Sequence, residues 1–95
     1  MTFPALLQDI AVVVGEDVPA AEVEAVVRES GGKLLRDARV FDVYRGAQVG
    51  DGLKSLALRL EFRAGDRTLT DEDVAARRGA IEQALDEEIG GRLRG

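Results

Sequence analysis

The apolar residues of this chain follow two different periods, and the period changes several times along the sequence. From Lys54 to Phe62, large apolar side chains alternate with polar or small ones, which is the pattern of a strand with one buried face. Gln8 to Val14 has Ile10, Val12 and Val14 on one face and ends at Gly15, which is typical of a short buried strand. Val40 to Tyr44 has the same character, and residues 34–39 before it fit either an extended or a bulged approach. These segments are predicted to be strands.

Two other segments have apolar residues at helical spacing. One follows Pro19 and ends at the Ser-Gly-Gly of residues 30–32, and the other follows Thr70 and ends at Gly90. Thr70 is expected to accept a hydrogen bond from the third amide of its helix, and the carboxylates at 71–73 complement the helix dipole. The predicted apolar stripes are Val23, Val26 and Val27 in the first helix, and Val74, Ile81, Leu85 and Ile89 in the second.

Residues 92–94 fit a short final edge strand, which completes the order β-α-β-β-α-β. This order predicts an α+β, ferredoxin-like fold in which a four-stranded antiparallel sheet has two helices on one face. Residues 1–95 are expected to form one domain, because a chain of this length can build one modest core.

The face of the sheet that the helices leave open is the candidate binding surface. Ser55 and Ala57 at its centre would let a flat group approach the strands, although a loop or a neighbouring subunit covering them is an equally good interpretation. Tyr44 is the only aromatic residue predicted there, because Phe41 is assigned to the core with Leu56, Leu58 and Phe62. The residues expected on this face are Asp9, Ala11, Val13, Asp42, Tyr44, Ser55, Ala57, Arg59, Arg92 and Arg94.

The composition excludes several kinds of active site. The chain contains no histidine, cysteine, tryptophan or asparagine, so Ser-His-Asp and Cys-His catalysis, histidine or thiolate metal sites and an acylphosphatase-like Asn–Arg site are ruled out. The carboxylates at 71–73 and 86–88 fit helix capping and a solvated helix face better than a metal or acid–base site. The formal net charge of −5 is unusual for an autonomous nucleic-acid binder. Any RNA contact is therefore expected to be a small part of a larger assembly.

Three sequence motifs point to one family. They are FDVYRG at 41–46, KSLALRLEF at 54–62 and DRTLTDEDV at 66–74. In this order and spacing they closely resemble the C-terminal ferredoxin-like anticodon-binding domain of the bacterial phenylalanyl-tRNA synthetase β subunit. The segment around residues 3–14 and the last residues, 91–94, are similar to the first and last strands of that domain.

The resemblance implies that the domain binds the anticodon stem-loop of phenylalanine tRNA on its open face and has no catalytic residue, cofactor or metal of its own. ATP and Mg²⁺ would act elsewhere in an α2β2 ligase, whose α subunit and remaining β subunit are the implied partners. A cytoplasmic location without membrane contact is expected. The implied base-proximal residues are Asp9, Asp42, Tyr44, Ser55 and Ala57, and the implied backbone contacts are Arg59, Arg92 and Arg94.

The sequence departs from the family pattern at two places. Gln8 stands where a basic residue commonly precedes the first-strand aspartate, which removes a cation from the expected RNA face. Met1 stands directly before the domain, as in an excised fragment or a free-standing relative. The alternative function is therefore a free-standing module that binds protein or another RNA and has lost anticodon reading.

Overall fold

A computed structural model describes residues 3–94 of the chain. Within this range the elements follow the predicted order, and the ambiguous segment before Val40 belongs to one continuous, irregular strand. The elements are β1 (Leu6–Gly15), α1 (Ala20–Ser30), β2 (Leu35–Tyr44), β3 (Leu53–Phe62), α2 (Asp71–Ile89) and β4 (Arg92–Arg94).

The four strands form one sheet in the order β2-β3-β1-β4, and every neighbouring pair is antiparallel. Each helix therefore connects two parallel strands between which a third, antiparallel strand is inserted. This is the split βαβ arrangement of a ferredoxin-like fold, and the predicted fold class is confirmed.

The core lies between the helices and one face of the sheet, as the alternating pattern requires. In β3 the residues at even positions from Leu56 to Phe62 are fully buried, and Ile10, Val12 and Val14 of β1 lie beside them. The predicted stripes of both helices pack onto this layer, and Ile89 is partly buried at its margin. Burial of one face by both helices leaves the other face of the sheet without a covering layer.

The ends of α2 are fixed by local chemistry. The amide of Asp73 donates to Thr70 Oγ1 at 3.3 Å, and the amide of Thr70 donates to the Asp73 carboxylate at 3.0 Å, which forms a reciprocal capping box. Gly90 ends the helix with a left-handed φ of 67°. No helix in the part of the chain that the structure describes combines the length and apolar character needed to cross a membrane.

Two irregularities interrupt the pairing of β2 with β3. The register shifts between Leu35 and Asp37 and again between Val40 and Asp42, so one residue is unpaired at each place. An extra residue in one strand of an antiparallel pair is a β-bulge, and it changes the face to which the next side chains point. The second bulge contains Phe41, which lies in the sequence motif.

Candidate functional site

The face of the sheet away from the helices, called the open face below, is formed by alternate residues of all four strands. The register arranges these residues in rows that cross the sheet from β2 through β3 and β1 to β4. One row is Tyr44, Ser55, Val13 and Arg92, the next is Asp42, Ala57, Ala11 and Arg94, and the third is Arg39, Arg59 and Asp9. All eight predicted site residues therefore lie on the same face.

The middle of the open face is flat because the two residues at its centre are alanines, whose side chains are short. Ala11 and Ala57 are directly opposite each other on the two central strands, and both are only half-buried. Side chains on directly opposite positions are close neighbours, so these two methyl groups form a floor. Asp42 borders the floor on the β2 side, and Arg94 borders it on the β4 side.

Ser55 is not available on the surface, contrary to the prediction. It faces the open side, yet its exposed fraction is only 1%. A cleft at this end of the face is lined by Val13 and Leu53 from the strands and by Gln48 and Val49 from the β2–β3 loop. The loop therefore lies against this end of the open face. Ser55 is thus covered within the folded chain, with Val13 and Tyr44 directly opposite it on the neighbouring strands, while Ala57 remains partly accessible.

Phe41 is not in the core, and this prediction was wrong. Simple alternation along β2 assigns it to the same side as Val43, but the bulge between Val40 and Asp42 breaks that alternation. Phe41 is 50% exposed, and its ring lies 5.0 Å from the Arg59 guanidinium carbon. It is therefore a second aromatic residue on the open face.

Arg59 and Asp9 form a bidentate ion pair across the two central strands. Arg59 Nε donates to Asp9 Oδ1 at 2.9 Å, and Nη2 donates to Oδ2 at 3.1 Å. The Arg59 hydrogen bonds lower the pKa of the Asp9 carboxyl, and Asp9 raises the pKa of Arg59 in return. Two donor groups of Arg59 are thus directed toward Asp9, so Arg59 is less available as a phosphate contact than the sequence suggested.

Asp42 and Tyr44 lie two residues apart on the same side of β2. The Asp42 carboxylate raises the pKa of the Tyr44 hydroxyl, mainly as a hydrogen-bond acceptor and secondly through its charge. The phenol therefore remains protonated near neutral pH, and its ring is 53% exposed. Tyr44 presents an aromatic surface at the edge of the sheet.

Arg92 and Arg94 provide positive charge at the opposite edge. Both are exposed on β4, at the ends of the first two rows. Within residues 3–94, neither makes an ion pair with a carboxylate. These two guanidinium groups are consequently available to an anionic ligand.

Gln8 does not lie on the open face. It is paired with Leu60, whose side chain belongs to the core, so residue 8 faces the helix side. Its Oε1 atom is buried and has no hydrogen-bond partner among the described residues. The expectation that Gln8 removes a cation from the RNA face was therefore wrong, because the alternation of β1 places Gln8 and Asp9 on opposite sides.

Comparison with known proteins decides the family. The family model of the ferredoxin-fold anticodon binding domain matches residues 2–94. The chain belongs to this family. A phenylalanine–tRNA ligase β subunit from Nocardia farcinica is 52% identical over 93 residues, covering 98% of this chain and 11% of that protein. The same subunit from Thermobifida fusca is 53% identical over 94 residues, which is 99% of this chain and 11% of that protein.

The anticodon binding domain spans about a tenth of the length of these relatives. A third, from Moorella thermoacetica, is 52% identical over 92 residues, covering 97% of this chain and 12% of the ligase subunit. The similarity therefore includes every strand and both helices of the domain. It does not include the much larger remainder of those subunits.

The arrangement of the domain is suited to binding. Within residues 3–94, no group of three or more acidic side chains is positioned to hold a metal ion. The open face instead combines a flat floor, aromatic rings on β2 and arginines on β4. Single-stranded nucleic acids are bound by this combination of stacking surfaces and cations. Sequence reasoning identified most of this set but missed Phe41, since no local pattern marks a bulge.

Proposed function

We propose that this domain binds the anticodon stem-loop of phenylalanine tRNA on its open face, as a non-catalytic part of a phenylalanine–tRNA ligase β subunit. The observation that carries the proposal is the cross-strand arrangement of the site residues. Tyr44 and Asp42 stand at one end of two adjacent rows, and Arg92 and Arg94 stand at the other. Family membership and the names of the relatives support the choice of RNA.

Each part of the open face has a different task in this proposal. A base lies on the floor made by Ala11 and Ala57 and stacks beside Tyr44, because only small side chains let a planar ring approach the strands. Asp42 accepts a hydrogen bond from the edge of a base. Arg92 and Arg94 contact phosphates, which hold the loop in position without reading its sequence. Ser55 supports Tyr44 from below and does not contact RNA with its side chain.

The domain does no chemistry in this proposal. Aminoacylation, with its ATP and Mg²⁺, takes place in other parts of an α2β2 synthetase, to which the domain is joined through the remainder of the β subunit. Residues 3–94 need no cofactor for this role. The proposed location is the cytoplasm, where tRNA is charged.

The test is an NMR titration of the ¹⁵N-labelled domain with a phenylalanine anticodon stem-loop and with the same stem carrying a scrambled anticodon. The expected result is a set of shifts at Asp9, Asp42, Tyr44 and Ala57 that is larger for the cognate loop. Arg94→Glu is expected to weaken binding severalfold, since it reverses a charge at the proposed phosphate contact.

The matched control is Arg78→Glu, which changes the net charge equally on α2, on the other side of the sheet. It is expected to leave the affinity almost unchanged. If both reversals weaken binding equally, the contact is not on the open face. If neither loop shifts any amide at low salt, anticodon binding by this domain is refuted, and the alternative of a module with a different partner is favoured.

A further inference from the structure

A recess of about 440 Å³ lies on the open face beyond the Asp9–Arg59 pair. It is lined by Leu7, Asp37, Arg39, Phe41, Arg59 and Glu61. Leu7 and Phe41 are 58% and 50% exposed, and they are among the four large hydrophobic residues that are exposed in the described part of the chain. None of these four lies on a helix, so the accessible apolar surface is concentrated on the sheet.

The Arg59 guanidinium and the Phe41 ring form a preorganised stack beside this recess. The guanidinium carbon lies 5.0 Å from the ring centroid, within the range of a cation–π contact. Asp9 fixes the orientation of the same guanidinium through two hydrogen bonds of 2.9 and 3.1 Å. A stack that is already fixed loses little side-chain freedom when a ligand binds. The bulge makes this stack possible, because a β2 that kept the register of Val43 opposite Leu56 would direct residue 41 toward the core.

The chemistry of the recess fits a nucleobase. Exposed aromatic rings and arginine planes are the surfaces on which single-stranded bases stack. Asp37 is already paired with Arg28 at 3.1 Å and with Arg39 at 3.7 Å. Glu61 makes no ion pair within residues 3–94. Its carboxylate is therefore available as an acceptor for an exocyclic amino group, as carboxylates are for the amine of cytosine.

We propose that the Phe41–Arg59 stack is a second base-binding position, which takes an amino-bearing base next to the one at Tyr44. This inference rests on the proposed function and adds a position to it. Phe41 and Tyr44 are three residues apart on one strand, a separation of roughly 10 Å along β2. Each of the two aromatic rings is thus a separate platform for one of two neighbouring bases of an RNA strand. Glu61 selects bases that carry an amine over uracil.

Ring signals in the NMR spectrum provide the test, because the chain contains only three phenylalanines and one tyrosine. With ¹³C-labelled aromatic rings and the cognate stem-loop, the Phe41 and Tyr44 protons are expected to shift together. Phe62, which is fully buried, is the internal control and should not move. Phe41→Ala is expected to weaken binding about fivefold or more, while Val43→Ala, on the helix side of the same strand, should have little effect.

A second measurement tests the role of Glu61. Stem-loops in which one adenosine of the loop is replaced by purine riboside, which lacks the amine, are expected to bind the wild-type domain more weakly at one position. Glu61→Met, which keeps the side-chain length but removes the carboxylate acceptor, should remove that difference. If the difference is unchanged in Glu61→Met, the selection of an amine by Glu61 is wrong.

The outcomes separate this inference from the proposed function. If Tyr44 shifts on binding while the Phe41 ring does not, and Phe41→Ala binds as well as the wild type, the second position is refuted and anticodon binding stands. If the wild-type domain binds no loop, both proposals fail. Far-ultraviolet circular dichroism of each variant shows whether a loss of binding reflects loss of the fold.

Discussion

At the scale of single residues, Arg59 organises the open face by joining two kinds of contact. Its charge is balanced by Asp9, and its plane lies over Phe41. The pair therefore adds no net charge to the centre of the face. Phosphate attraction must come from the edges, where Arg92 and Arg94 are exposed. The centre is left as a surface for flat, weakly charged groups such as bases.

The burial of Ser55 differs from the expectation drawn from the sequence, and a substitution can test it. A strand position on the open face would ordinarily tolerate a charged residue, but Ser55 is 1% exposed. Ser55→Glu is therefore expected to lower the free energy of unfolding by roughly 2 kcal/mol or more, because it buries an unpaired charge in an occupied space. Urea denaturation followed by circular dichroism measures this change.

The control for that experiment is Ala57→Glu, two residues along the same face, where the side chain is only half-buried. It should cost clearly less stability than Ser55→Glu. Equal losses in the two variants would show that Ser55 is no more buried than Ala57 in solution.

At the scale of elements, α2 is stabilised at its N-terminus but contains a destabilising residue in its interior. Its first turn has the reciprocal capping box of Thr70 and Asp73, yet Gly79 lies in the helix interior, with open space where a Cβ would be. Glycine in such a position costs conformational entropy without making a contact. The helix depends instead on Val74, Ile81 and Leu85, all of which are fully buried against the sheet.

The glycine inside α2 and the glycine that ends it are expected to respond oppositely to the same change. Gly79→Ala should raise the free energy of unfolding by about 0.5–1 kcal/mol, since alanine favours the helix and meets no neighbour. Gly90→Ala should lower it by about 1 kcal/mol, because the φ of 67° strains any residue with a Cβ. Both are read from urea midpoints. A loss of stability in Gly79→Ala would contradict this account of the helix.

At the scale of the whole molecule, the negative charge is segregated from the open face. Helix α2 contains seven carboxylates and two arginines, so its net charge of −5 equals that of the entire chain. The remaining residues are electrically balanced. The acidic composition therefore does not oppose RNA binding as directly as the sequence total suggested, because the excess charge lies on the far side of the sheet.

The pH dependence of stability follows from the carboxyl groups as a set. Hydrogen bonds from Arg59 lower the pKa of the Asp9 carboxyl below its usual 3.8. Hydrogen bonds from Arg45 lower the pKa of Glu16 below 4.5, and hydrogen bonds from Thr70 lower the pKa of Asp73 below 3.8. A carboxyl whose pKa is lower in the folded state stabilises the fold above its unfolded pKa, and this contribution is lost as the pH falls through the folded value.

Urea midpoints are accordingly expected to be constant between about pH 6 and 8, where no histidine or cysteine can titrate. They should decline below 4.5 and further below 3.8, the ordinary pKa values of these groups. Asp9→Asn should show a smaller decline. A midpoint that already falls between pH 8 and 6 would contradict the assignment to carboxyl groups.

The sequence determined the order of the elements, most of the buried set and the ends of α2. These features depend on interactions within a few residues, such as alternation along β3 or the capping of Thr70, and local pattern is sufficient to predict them. The convergence of all eight site residues on one face also followed, because period-two alternation combined with the fold order fixes which side chains the helices cover.

Only the tertiary structure decided which residues of the open face are accessible and which are paired. The bulge that exposes Phe41 arises from the pairing of β2 with β3, the burial of Ser55 arises in the folded sheet, and the partner of Arg59 is 50 residues away in sequence. Each is a contact between segments that the chain brings together only by folding. Local periodicity has no information about cross-strand register, so the sequence alone could identify the face but not which of its residues are accessible.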